Sequence, residues 1–117
     1  MWEYGYAVET TADPAALWRL WSDVAGWPAW NDGVEKIEID GPFAAGTEFR
    51  MTPPGDAPIT LRLVEVITGT SFTDRMDADG FAVTTIHRLT PLPAGGTRVT
   101  YRTEIAGPAA DLSLIHI

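Results

Sequence analysis

One stretch of this chain carries helical periodicity, and nearly everything after it alternates as strand. Residues 13–33 read DPAALWRLWSDVAGWPAWNDG. Asp13 can accept hydrogen bonds from the free N–H groups of a first helical turn, and Pro14 follows where a missing N–H costs nothing. Leu17, Leu20, Trp21 and Val24 then recur at i, i+3, i+4 and i+7, which predicts one apolar stripe. Gly26 ends that run. Trp27-Pro28-Ala29-Trp30 begins a second, shorter element closed by Asn31-Asp32-Gly33. Four of the five tryptophans lie between Trp18 and Trp30. A short helical pair rich in indoles, spanning about residues 13–32, is therefore offered to a sheet that must fold over it.

The rest of the chain has a period of two. Trp2, Tyr4, Tyr6 and Val8 alternate with Glu3, Gly5, Ala7 and Glu9, a first strand with one aromatic face. Ile37 and Ile39 alternate with Lys36 and Glu38, and Phe49 and Met51 share a face after Gly46. Pro53-Pro54-Gly55-Asp56 is the clearest turn. Ile59, Leu61 and Leu63 mark a strand that runs on towards Ile67, and Phe72 to Met76 another. Phe81, Val83, Thr85, His87 and Leu89 lie on one side of the next strand. Val99, Tyr101, Thr103 and Ile105 form the inner side of the last. About seven strands joined by short turns predict antiparallel hairpins, so the fold class is α+β, in one domain.

Composition excludes several partner classes. Sixteen acidic against eight basic residues give a formal charge of −8, with Lys36 the sole lysine and the arginines scattered along the strands. Nucleic acid and anionic membranes call for clustered positive charge, so neither is an expected partner. No apolar run approaches the roughly 18 residues of a membrane span, and the first residues do not read as a leader. The absence of cysteine removes disulfide and thiolate chemistry and fits a cytoplasmic location. One histidine outside the tail leaves no zinc site, and no glycine-rich phosphate loop or dinucleotide fingerprint is present, so no cofactor and no metal are expected.

The order of elements carries a resemblance. A first strand, the DPAALWRLWSDV helix, the Trp27-to-Trp30 step, a long antiparallel meander, and GGTRVTYR (residues 95–102) before Gly107-Pro108 are similar to the START-like superfamily. Within it the chain most resembles the polyketide cyclase/dehydrase and lipid-transport family, often labelled SRPBCC, over residues 2–111. That resemblance implies a helix-grip fold: a curved seven-stranded antiparallel sheet, two short helices after strand 1, and a long C-terminal helix that closes a deep apolar cavity. The chain departs from the pattern after Asp111. Residues 112–117, LSLIHI, read as a non-native tail, so the expectation is a domain over 1–111 lacking most of the long helix. A lipocalin-like barrel or another cone-shaped fold is the alternative, and the helix pair after the first strand argues against it.

A curved sheet of this length cannot fill its concave side with one short helix pair, so a helix, ligand or partner must do so. The candidate ligand-binding residues are Trp21 (or its neighbour Trp18), Trp27 and Trp30 from the helical stretch. Phe49, Met51, Leu61, Leu63 and Phe72 follow from the middle strands, and Phe81, Val83, Thr85 and Val99 from the last two. Most side chains at period two are plain core. His87 and Tyr101 are the candidate catalytic pair: a near-neutral imidazole as general acid or base, and a phenol donating to a carbonyl as charge develops. Asp74 would share a face with Phe72 and Met76, where burial would raise its pKa, although the commoner place for an aspartate is the outer face. Binding of a small hydrophobic molecule (lipid, polyketide or aromatic) is the expected function. The alternative is a polyketide cyclase or dehydratase using the polar cavity residues, and this fold hosts both. An uncovered concave face would also favour self-association.

Overall fold

A computed structural model describes residues 2–107; residues 108–117, with the expected helix approach and tail, lie outside the described residues. The chain runs β1 (Trp2–Thr10), α1 (Pro14–Ser22), a 3-10 turn (Val24–Gly26), α2 (Trp27–Trp30), then β2 (Lys36–Ile39), β3 (Glu48–Thr52), β4 (Ile59–Ile67), β5 (Ser71–Ala78), β6 (Phe81–Pro91) and β7 (Thr97–Ala106). All seven strands form one antiparallel sheet in the order β1-β7-β6-β5-β4-β3-β2. Every neighbour is a hairpin except β1 and β7, which join the two ends of the chain. The expected α+β architecture is the one observed.

Local chemistry explains the helical pair. Asp13 caps α1, its Oδ1 accepting from the Ala15 N–H at 3.3 Å, with Pro14 just inside. The helix stops after Ser22, and the Trp27 Nε1–H donates to the Trp21 carbonyl at 3.1 Å, tying α2 to the end of α1. Leu20 departs from the expected stripe. It is 47% exposed, while Trp18 packs against the core through Phe43 and Trp21. The seated face runs through Leu17, Trp18 and Trp21 instead.

Register places one set of side chains under the helices. Tyr6, Tyr101, His87, Phe72 and Val66 form one transverse row. Tyr4, Thr103, Thr85, Asp74 and Leu63 form the next. A bulge between Leu63 and Glu65 shifts the alternation of β4, so Val66 rather than Ile67 faces inward and Ile67 is left 46% exposed. The core is Trp21, Val24, Trp27, Phe49, Leu63, Phe72, Leu89 and Val99. It sits between the helical pair and the middle of the sheet.

The junction of β1 and β7 is pinned at its far end. Thr97, fully buried, donates through Oγ1 to the Ala12 carbonyl at 2.8 Å. Gly96 precedes it with φ 87° and lies so close to the Thr10 carbonyl that a side chain would collide with the backbone. On the outer face, Arg50 bridges Asp40 at 2.7 Å, Arg98 bridges Glu9 at 2.8 Å and Arg102 bridges Glu3 at 2.8 Å. Among the described residues no helix is long and apolar enough to cross a membrane.

The packing sets a contrast between two neighbours in α1. Trp21→Ala should lower the unfolding free energy by about 3–5 kcal/mol, as expected for emptying a large buried aromatic site. Leu20→Ala should change it by about 0.5 kcal/mol or less. Urea unfolding followed by far-UV circular dichroism reads both; equal losses would show that Leu20 anchors the helix as much as Trp21 does.

Candidate functional site

The helical pair and strands β5–β7 enclose a cleft of about 90 Å³ lined by Trp21, Trp27, Trp30, Asn31, Phe72, His87 and Tyr101. Its walls are a single aromatic assembly. The Trp21 ring stands edge-on to Phe72 at 5.2 Å, to His87 at 5.8 Å and to Tyr101 at 6.3 Å between centroids. The His87 imidazole stacks flat on Phe72 at 4.0 Å and 9°. Tyr101 stacks in turn on Tyr6 at 5.0 Å. Tyr101 also borders a second, more open groove of about 360 Å³ along β1 and β7, lined by Glu3, Tyr4, Gly5, Tyr6, Thr100 and Arg102 and including the outer-face Glu3–Arg102 pair.

The expected site residues divide into three groups. Trp21, Trp27, Trp30, Phe72, His87 and Tyr101 come together at the cleft. Phe49, Leu63 and Val99 are buried in the core and do not line the cleft. Met51, Leu61, Phe81, Val83 and Thr85 are half-buried and share the inward face away from the cleft. Asn31 was missed: it follows α2 as a loop-like Asn-Asp-Gly and has no periodic signal, yet it lines the cleft. Phe43 was missed for the same reason and packs edge-on to Phe72 at 5.1 Å.

Asp74 corrects the outward placement expected of an aspartate. It points inward, is 7% exposed, and its Oδ2 lies 3.9 Å from His87 Nδ1. Desolvation pushes its carboxyl up to about 7. The same burial pushes the His87 imidazole down to about 4, against the pull of its 3.3 Å contact with the Phe72 carbonyl. Both shifts favour uncharged forms, so between about pH 4 and pH 7 this is a neutral pair rather than an ion pair. The Tyr101 phenol is raised, chiefly by burial and then by Tyr6, with the Trp21 side chain pulling the other way.

Chemically, the pair combines a protonated carboxyl with an imidazole that keeps a lone pair, the two partners that acid–base chemistry on a keto or enol group calls for. Among the described residues no three His, Cys, Asp or Glu side chains gather as a metal site would require.

These shifts make stability depend on pH in two opposed ways. Asp74, raised from 3.8 to about 7, stabilises the fold while protonated, and that contribution is lost as pH rises through about 7. His87, lowered from 6.5 to about 4, stabilises it while neutral, and that contribution is lost as pH falls through about 4. Between these limits the slopes nearly cancel, and above about pH 6.5 the Asp74 slope stands alone. Asp74→Asn should therefore gain roughly 2–3 kcal/mol on the parent chain between pH 5 and pH 8. Urea unfolding at the two pH values measures it, and a pH-independent difference would mean that Asp74 ionises normally.

Comparison with solved structures places the fold in a known group. Norcoclaurine synthase from Thalictrum flavum, solved with dopamine and hydroxybenzaldehyde, superposes with a TM-score of 0.78 at 18% identity, over 98% of this chain and 75% of that one. A START superfamily protein from Mycobacterium smegmatis gives 0.73 at 15% identity, over 90% and 77%. A protein from Deinococcus radiodurans gives 0.68 at 18% identity, over 95% and 87%. At such identities the likeness is one of fold: a curved seven-stranded antiparallel sheet with two short helices. No curated protein matches the sequence. The family profile described as polyketide cyclase / dehydrase and lipid transport matches residues 1–114. The chain belongs to the polyketide cyclase/dehydrase and lipid-transport family.

Proposed function

We propose that this protein binds a small hydrophobic molecule (lipid, polyketide or aromatic) in the cleft beneath α1 and α2. The observation that carries this is the lining: five aromatic side chains, one neutral imidazole and one amide converge on a concavity continuous with the core. Apolar walls with a few placed polar groups are the usual composition of a small-molecule site. At about 90 Å³ the cleft itself admits about one ring. A longer ligand would extend past Tyr101 along the inward face of β1, where Tyr6 stacks on Tyr101 and Tyr4 and Tyr6 are half-exposed. The reading needs no cofactor and no membrane insertion. It includes no nucleic acid, in keeping with the chain's net charge of −8 and with the pairing of Arg50, Arg98 and Arg102 to acidic neighbours. A cytoplasmic setting goes with the cysteine-free sequence.

Nile red titrated against the protein should gain fluorescence and be displaced by a neutral aromatic competitor such as naphthalene. Trp30→Ala, at the partly exposed edge of the cleft, should weaken binding several-fold with little loss of stability. No dye signal, together with no hydrophobic compound co-purifying by mass spectrometry, would count against the proposal. The Asp74–His87 contact favours one second reading, a cyclase or dehydratase. Chromatography of a bound polyketide-like diketone after incubation separates the two: a carrier returns it unchanged, an enzyme returns a cyclised or dehydrated product.

Self-association through the inward face of β1 accompanies this proposal. Tyr4, Tyr6 and Val8 are each at least half exposed there. Elution volume in size exclusion should fall with rising concentration, and Tyr6→Lys should remove the effect; a concentration-independent monomer would exclude it.

A further inference from the structure

The polar groups of the cleft are more selective than its aromatic walls. His87 Nδ1 lies 3.3 Å from the Phe72 carbonyl oxygen, which can only accept. The proton therefore sits on Nδ1, and the Asp74 carboxyl 3.9 Å away lies on the same edge of the ring. Moving the proton to Nε2 would set the Nδ1 lone pair against the carbonyl oxygen. With Nδ1 so engaged, Nε2 is left as a hydrogen-bond acceptor on the opposite edge of a ring that lines the cleft. Among the described residues Nε2 has no protein partner, and no buried side-chain nitrogen or oxygen is left unsatisfied, so Nε2 reaches the open space of the cleft.

The second polar group is Tyr101. Among the described residues its hydroxyl makes no hydrogen bond and is not left buried without a partner, so its O–H is open to a ligand and able to donate. The cleft thus presents the Nε2 acceptor, the Tyr101 donor and, at its edge, the Asn31 amide, with no cation on its walls and a carboxyl behind the imidazole. A carboxylate or phosphate would meet the Nε2 lone pair without a counter-charge. A ketone could satisfy Tyr101 but not Nε2. A hydroxyl on an aromatic ring satisfies both, and the stacked and edge-on rings around it suit a planar body of about one ring.

We infer that the cleft selects neutral hydroxylated aromatic molecules, with His87 Nε2 accepting from the ligand hydroxyl and the Tyr101 hydroxyl donating to it. This rests on the proposal that the cleft is a ligand site, and it adds the chemical class.

Fluorine NMR titrations with 4-fluorophenol, 4-fluorotoluene and 4-fluorobenzoate test it on the full chain. The phenol should bind at least about tenfold more tightly than the toluene, the worth of one well-made hydrogen bond, and the benzoate most weakly. Nitrogen-15 spectra of the imidazole should show the Nδ1–H form, with the Nε2 resonance moving on phenol addition and not on toluene addition. His87→Phe should level phenol and toluene, and His87→Gln, which keeps an acceptor, should restore part of the preference. Should His87→Phe fail to fold, Tyr101→Phe serves instead, reducing the phenol preference several-fold with toluene affinity unchanged. Equal affinity of the parent chain for phenol and toluene would overturn the inference and leave the cleft a ligand site. Tighter binding of benzoate would overturn it in the same way. Binding of none of the three would overturn both.

Discussion

The seat of Trp21 on the sheet is the contact on which the rest of this structure depends. Its indole is 5% exposed and meets Phe72, His87 and Tyr101, one from each of three adjacent strands. Its carbonyl receives the Trp27 side chain, so the same residue fixes the second helix. Aromatic pairs of this kind contribute about 0.5–1.5 kcal/mol each beyond the area they bury. With α1 only nine residues long, intrinsic helicity contributes little, and tertiary packing of one face must hold it. Core and cleft are consequently one cluster of rings, and the cleft cannot be reshaped without disturbing the contact that holds the helices down.

Polar chemistry is divided between the two faces of the sheet. On the outer face the ion pairs of Arg50, Arg98 and Arg102 are solvent-exposed, so their geometry outstrips their worth. On the inner face the Asp74 carboxyl and the His87 imidazole sit where water is largely excluded, and both shift towards neutrality. Burying a charge there would cost several kcal/mol, and the side chains avoid it by changing protonation state. The row that holds Asp74 also holds Thr85, Thr103 and Tyr4. A polar stripe therefore runs across the sheet beside the aromatic one, and the cleft lies along their border.

Much of the fold was legible because the sheet alternates strictly. In β6 and β7 the inward set of Val83, Thr85, His87, Leu89, Val99, Tyr101, Thr103 and Ile105 follows directly from the period of two, and the cap and proline at Asp13-Pro14 announce α1. The site was legible only in part. The bulge after Leu63 changes the phase of β4, which no period can foretell, so Val66 replaces Ile67 on the inner side. Asp74 lay on the correct phase, but an aspartate is ordinarily solvated, and only the three-dimensional neighbourhood shows that it is not. Asn31 and Phe43 stand in irregular segments where spacing holds no information, and the cleft draws on one and the core on the other. Leu20 shows the converse error, because apolar spacing on a short helix outruns the face that packs.

The position of the cleft follows from uneven coverage of the sheet. Helices cover the middle, where Phe49, Leu63 and Phe72 are at most 1% exposed. At β1 the same inward face carries Tyr4 at 55% and Tyr6 at 50%. Between these regimes stand His87 and Tyr101, sheltered enough for burial to move their protonation equilibria and near enough to open space for exchange with solvent. A polar group deeper in the core would be inaccessible to a ligand. One further out would be hydrated and unselective. The boundary between covered and uncovered sheet is the one place where aromatic walls, a neutral acceptor and a phenolic donor can face the same small volume, and the register of three strands puts all of them there.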